Sequence, residues 1–80
     1  MVTVAFRDSA GRPVVDAIVS IASAPGEIRD IGMVTDERGE ISIATSGMGD
    51  YEFVVFRAGN AQNVRTHIAR EDERLTLVLN

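Results

Sequence analysis

Apolar and polar residues alternate with a period of two through nearly all of this chain, and clusters of turn-forming residues interrupt the alternation about every ten residues. This rhythm constrains the fold more than any other feature. Successive side chains of an extended strand point to opposite faces, so a period of two builds strands with one apolar and one polar side. Val2, Val4 and Phe6 alternate with Thr3, Ala5 and Arg7 and define a first strand. Asp8-Ser9-Ala10-Gly11-Arg12-Pro13 follows as a turn. Asp and Ser side chains bond nearby backbone there, Gly11 accepts a positive φ, and Pro13 sets its own. Residues 15–22 form a second strand with Ala17, Val19 and Ile21 on one face, ended by Ser23-Ala24-Pro25-Gly26.

Residues 27–30 carry no decisive pattern. Residues 31–35 and 40–45 read as a hairpin, with Ile41 and Ile43 inward. Asp36-Glu37-Arg38-Gly39 joins them, Gly39 taking the left-handed position of a bulged turn. Ser46-Gly47-Met48-Gly49-Asp50 is another turn. Residues 51–57 give the longest strand signal, Tyr51, Phe53 and Val55 pointing one way and Glu52, Val54 and Phe56 the other. A turn at Gly59-Asn60 leads to a strand over residues 63–68, in which Val64, Thr66 and Ile68 share a face. The charged turn Arg70-Glu71-Asp72-Glu73 precedes a last strand over residues 74–79, with Leu75, Leu77 and Leu79 on one side. No segment shows a 3.6-residue period. The pattern predicts one all-β domain over residues 1–80, a seven-stranded antiparallel β-sandwich with two sheets facing across a single core.

The quoted order "FRDSAGRPVVDAIVSI", "VTDERGEISI", "GDYEFVVFRAGN" and "RLTLVLN" resembles the carboxypeptidase regulatory-like domain, and the resemblance covers nearly the whole chain. Its marks are Asp8, Gly11, Pro13, Ala17, Val19, Ile21, Thr35, Asp36, Gly39, Gly49, Tyr51 and Gly59; where the family often has an aromatic after the last of these glycines, Asn60 stands. The resemblance implies a transthyretin-like (prealbumin-like) sandwich, a relative of the immunoglobulin-like ones. It also implies a non-catalytic module of the kind appended to enzymes, surface proteins or secretion machinery. The hydroxyisourate hydrolases of the transthyretin-like fold rely on an N-terminal histidine and a C-terminal Tyr-Arg-Gly-Ser motif; this chain starts MVTVAF and ends LTLVLN.

Composition narrows the chemistry. There is no cysteine, which excludes disulfides and thiolate catalysis, and no cofactor motif is present. All eight basic residues are arginine, so neither a Schiff base nor a lysine-derived isopeptide cross-link can form. A net charge of −4 offers no general attraction to phosphate backbones, and nucleic-acid binding is not expected. No apolar run approaches the ~20 residues that span a bilayer, so no membrane insertion is expected. The opening MVTVAF reads as a strand rather than a signal peptide, which points to the cytoplasm if Met1 is the native start.

Candidate sites are few. His67 is the single histidine, and with Arg65 it sits on the outward side of its strand. Zinc requires three or four clustered ligands, and Ser9, Ser20 or Ser46 with His67 has no flanking motif for a triad. Asp36, Glu37, Glu40, Asp50 and Glu52 could serve calcium, but they lack the spacing of a dedicated loop and Arg38 lies among them. Gly47-Met48-Gly49 lacks the helix start and lysine of a phosphate loop.

Val54 and Phe56 are the informative positions, because they are apolar on the face that a two-layer sandwich leaves wet; Val78 has the same character. Together they would form a partner-binding patch rimmed by Arg57 and Arg65. The reading is therefore a structural or protein-interaction module, acting on a protein partner or on itself through a sheet face or an edge strand. The alternative is a small-ligand or carbohydrate-binding accessory domain, which would need exposed aromatics, and Tyr51 is expected in the core.

Overall fold

The apolar faces of the period-two strands meet across one core in the computed structural model, which describes residues 1–26, 32–44 and 47–80. Seven strands lie within them: β1 (Val2–Arg7), β2 (Ile18–Ser23), β3 (Met33–Val34), β4 (Glu40–Ile43), β5 (Gly49–Arg57), β6 (Asn60–Ile68) and β7 (Arg74–Val78). There is no helix among the described residues. The strands form a three-stranded sheet, ordered β4-β1-β7, and a four-stranded sheet, ordered β3-β2-β5-β6. The undecided residues 27–30, together with Ile31, Thr45 and Ser46, lie outside the described residues.

The inward faces are those the alternation marks. Val2, Val4, Phe6, Ile41, Ile43 and Leu79 come from the three-stranded side; Val19, Ile21, Tyr51, Phe53, Val55 and Ile68 come from the other. Phe6 and Phe53 meet edge to face across the two sheets, ring centroids 6.0 Å apart. Tyr51 stacks on Phe53 at 6.3 Å, and its hydroxyl donates to the Gly47 carbonyl at 2.7 Å, so the one polar atom of that ring is satisfied.

The pairing departs from the expected scheme at three places. β1 and β7 run parallel, with Val4 beside Leu75 and Phe6 beside Leu77, so the sandwich is not antiparallel throughout. Only a hairpin forces antiparallel neighbours. β7 arrives from the other sheet and is free to lie along β1 in either sense. β3 and β4 are not a hairpin: β3 pairs with β2 and β4 with β1, so the chain changes sheets between them. The tight turn of the long hairpin is Ala58-Gly59, both at positive φ, rather than Gly59-Asn60; Asn60 already pairs with Arg57 and opens β6. That is the geometry of a two-residue primed turn, which matches strand twist.

Two turns of the same build flank β1 and β4. Asp8 Oδ1 accepts the N–H groups of Ala10 and Arg12 at 3.0 and 2.9 Å, and Asp36 Oδ1 accepts those of Arg38 and Glu40 at 2.9 and 2.9 Å. In each turn the fourth residue is a glycine at positive φ, Gly11 at 84° and Gly39 at 73°, whose N–H donates to the aspartate carbonyl. The two glycines differ in surroundings. A Cβ on Gly11 would meet nothing, whereas one on Gly39 would stand 2.6 Å from the Phe6 carbonyl oxygen and 2.9 Å from the Val14 nitrogen. Gly11→Ala is expected to cost about 1 kcal/mol, the left-handed penalty alone. Gly39→Ala should cost several times more, because backbone must move; urea unfolding of the two variants compares them directly, and equal losses would contradict this packing.

The accepted N–H groups hold both carboxyls below their ordinary value, chiefly the Arg12 N–H for Asp8 and the Glu40 N–H for Asp36. A depressed folded pKa means that the unfolded chain binds more protons, so this stability is present above the unfolded value of about 4 and is lost as pH falls through the folded ones. Urea midpoints should therefore drop below about pH 4. The Asp8→Asn/Asp36→Asn variant should show a shallower drop than the wild type over the same range.

Candidate functional site

The outward side chains of the four-stranded sheet can be followed row by row from the pairing. Ile18 lies opposite Val34 on one side and Phe56 on the other, and Phe56 lies opposite Ala61. The row Val34–Ile18–Phe56–Ala61 thus crosses all four strands with no polar interruption. Its members are open: Val34 is 61% exposed, Ile18 50% and Phe56 44%. Gly32 lies against the same row, since a Cβ on it would sit 3.5 Å from Ile18 Cγ2.

The rows beyond become progressively polar. Ser20, Val54 and Asn63 make the next, Val54 being half-buried between its neighbours. Glu52 and Arg65 follow, their Oε2 and Nε 3.8 Å apart, with Asn63 Nδ2 donating to the same Glu52 oxygen at 2.9 Å. Asp50 and His67 come last, Oδ1 and Nδ1 2.9 Å apart and both well exposed. A shallow depression of about 460 Å³ opens along this polar end beside Ser23, Asp50, Glu52 and Arg65.

The other end of the face has a different character. A second depression, of about 340 Å³, lies where the apolar row meets the Ala58-Gly59 turn, with Ile18 and Phe56 along it and Asp16 and Arg57 at its margin. Asp16 at φ 59° and Ala58 at φ 50° are the non-glycine residues in the left-handed region among those described, and both border this depression. Asp16 is anchored by its N–H to the Thr35 carbonyl at 3.3 Å. No side-chain hydrogen bond or ion pair joins Asp16 or Arg57 to any described residue.

Of the expected patch, Val54 and Phe56 share this face and Arg65 lies toward its polar end, whereas Arg57, at the turn end of β5, has the inward parity of Val55 and lines the opening between the sheets with Val55 and Leu79. Val78 does not belong to the face either. It pairs with Arg7 in the three-stranded sheet and is 62% exposed on the opposite outer surface of the sandwich. Leucines with a period of two put Val78 outward, but nothing in the periodicity tells which sheet it is outward from. In its place stand Ile18 and Val34. Ile18 carried a usable signal, since it lies between the inward Ala17 and Val19.

The remaining candidates are dispersed. Glu40 pairs with Arg74 at 3.3 Å on one sheet, while Asp50 and Glu52 lie on the other, and Asp36 is engaged by backbone. Among the described residues no three His, Asp or Glu side chains gather to hold a metal. Ser20 and His67 are two strands apart and separated by four residue steps, about 13 Å, along the sheet. Ser9 lies in the Asp8 turn, and Ser46 is outside the described residues. Tyr51 is buried, so it offers no platform for a sugar ring. No helix among the described residues is long and apolar enough to cross a membrane.

No protein-family model matches the chain, and no curated protein matches it.

Because Ala58 holds a conformation that favours glycine or asparagine, Ala58→Asn should stabilise the domain by about 0.5 kcal/mol or more. Thermal unfolding at neutral pH measures it, and a lower melting temperature than wild type would show that the turn is not strained.

Proposed function

We propose that this chain is a non-catalytic interaction module whose contact surface is the outer face of the four-stranded sheet. One observation carries the reading: the uninterrupted apolar row Val34–Ile18–Phe56–Ala61, laid across every strand of that sheet and left open to water. Isolated exposed apolar side chains are ordinary, but a contiguous set, bordered by polar residues, marks a surface that is covered in use. The row runs at right angles to the strands, so four backbone segments hold it rigid and a partner meets it at little entropic cost.

The finer assignment of the fold follows the same course. The turns at Asp8-Gly11 and Asp36-Gly39, and the buried Ala17, Val19, Ile21, Tyr51 and Thr35, support a transthyretin-like sandwich of the carboxypeptidase regulatory-like kind, a family of non-catalytic modules. The absence of lysine and cysteine leaves surface contact rather than covalent attachment as the means of association.

The decisive variant is Phe56→Glu. Phe56 is nearly half exposed, so its replacement should leave the melting temperature within a few degrees of wild type while association through this face is lost. Circular dichroism melts paired with sedimentation velocity read both quantities. A large fall in melting temperature would mean that Phe56 serves the fold and not a partner.

A further inference from the structure

Three strands facing four leave the inner side of β6 incompletely covered. Of its inward residues only Ile68 is buried; Val64, Thr66 and Gln62 are half-buried, and Asn60, nearest the Ala58-Gly59 turn, is exposed. The two sheets therefore part at this turn, around an opening of about 500 Å³. Its floor is apolar and fixed. Val55 and Leu79 are both buried there, and the Leu79 N–H donates to the Arg7 carbonyl at 2.7 Å. Its rim is polar. Arg57 lies directly opposite Asn60 in the hairpin, and Val55 directly opposite Gln62, so the guanidinium and the two amides leave their strands on the same, inward side. Asn80 adds a third amide from the other sheet.

None of these polar groups is committed elsewhere. Among the described residues no hydrogen bond or ion pair engages the side chain of Arg57, Asn60, Gln62 or Asn80. Arg7 spends its guanidinium on the Gly11 carbonyl, and Arg12, Arg65 and Arg74 spend theirs on carboxylates. Arg38 and Arg70 are unpaired too, but they stand exposed in turns, whereas Arg57 is half-buried beside apolar side chains. A cation that has lost part of its water and gained no counter-charge favours an anion in its place. No Asp or Glu lines this opening among the described residues.

We propose that the opening is a binding site for an organic monocarboxylate with a short aliphatic body. The guanidinium fork of Arg57 matches the two oxygens of a planar carboxylate. The amides of Asn60 and Gln62 add N–H donors on the same side, and Val55 and Leu79 receive the methylenes. A single cation, in a chain of net charge −4, matches a single negative charge; a phosphate dianion has neither a lysine nor a helix N-terminus to meet it here. The site lies on the inner side of strands whose outer side carries the apolar row, so it stands or falls independently of that row's role. One charge-assisted contact and a few buried methylenes give a weak site, with a Kd for butyrate on the order of 1 mM.

Titration of the isotope-labelled whole chain, followed by amide and arginine side-chain NMR signals, tests this with butyrate, acetate, butan-1-ol and inorganic phosphate. Butyrate should shift the Arg57 Nε–H, the side-chain amides of Asn60 and Gln62 and the backbone amide of Leu79. Acetate should bind the same groups about tenfold more weakly, and butan-1-ol and phosphate should leave them unmoved. Arg57→Gln should abolish the butyrate shifts without altering the melting curve. Gln62→Glu, which supplies an internal carboxylate to a retained Arg57, should abolish them as well and keeps the test decisive if Arg57→Gln unfolds. Acetyl-alanyl-valine separates the two sources of such a carboxylate: binding at least about tenfold tighter than butyrate assigns the site to the carboxyl end of a polypeptide, and weaker binding assigns it to a free small acid, either result supporting the site. No shifts at about 50 mM butyrate, equal shifts with butan-1-ol or phosphate, or shifts retained in a folded Arg57→Gln chain overturn it.

Discussion

The corner at residues 35–40 is the constraint on which the rest of the architecture depends. Here the chain leaves the four-stranded sheet and enters the three-stranded one, and it is bonded to both. Thr35 is fully buried; its Oγ1 accepts the Ala17 N–H at 2.9 Å and its own N–H donates to the Ala17 carbonyl at 2.9 Å, which pins the start of β2. Four residues later the Gly39 carbonyl accepts the Phe6 N–H at 2.8 Å, which pins the end of β1. The separation of the two sheets at this end is thereby set by one tight turn, and that turn is held by a single carboxylate, Asp36. The close approach of Gly39 to the Phe6 and Val14 backbones leaves no space for a side chain. A buried hydroxyl with a satisfied bond is worth far less than the cost of the orphaned amide it prevents, which is why Thr35 matters more than its one hydrogen bond suggests.

The two outer faces of the sandwich are unlike, and the difference follows from what each strand contributes. On the three-stranded sheet the outward positions include Thr3, Ala5, Arg7, Ser42, Thr76 and the Glu40–Arg74 pair that reaches across β1, with Val78 an exposed large apolar side chain at one end. Such a surface is satisfied in water. On the four-stranded sheet the polar partners are concentrated at one end, Asp50 with His67 and Glu52 with Arg65 and Asn63. The other end is apolar and is edged by residues held in left-handed conformations. A domain of 80 residues has little apolar surface to spare beyond its core. Placing three large side chains in one open row, rather than inside, is a use of that surface that solubility does not require.

The core was legible because it depends on parity. Once Val19 and Ile21, Ile41 and Ile43, and Tyr51, Phe53 and Val55 are read as inward, the pleat dictates the rest, and all of them are buried. The turns at Asp8 and Asp36 were legible because aspartate three residues before glycine is itself a local bonding pattern. Strand ends were less so: β6 begins at Asn60 rather than Asn63, because pairing with Arg57 extends it through residues with no apolar signal of their own. The exposed apolar row was half legible. Phe56 and Val54 declare themselves on one strand, but Ile18, Val34 and Ala61 join them only through cross-strand register, and register is a property of the assembled sheet.

By itself the sequence determined the all-β class, the inward set of side chains, the aspartate–glycine turns and the lack of thiol and lysine groups, since each of these depends on residue type and local spacing. Only the tertiary structure decided which strands became neighbours. It laid β1 beside β7 in parallel, parted β3 from β4, sent Val78 to one outer surface and Phe56 to the other, and drew Val34, Ile18, Phe56 and Ala61 into a row. The physical reason is that periodicity specifies the direction in which a side chain leaves its strand, whereas the partner a strand accepts depends on how all the apolar faces can be covered at once.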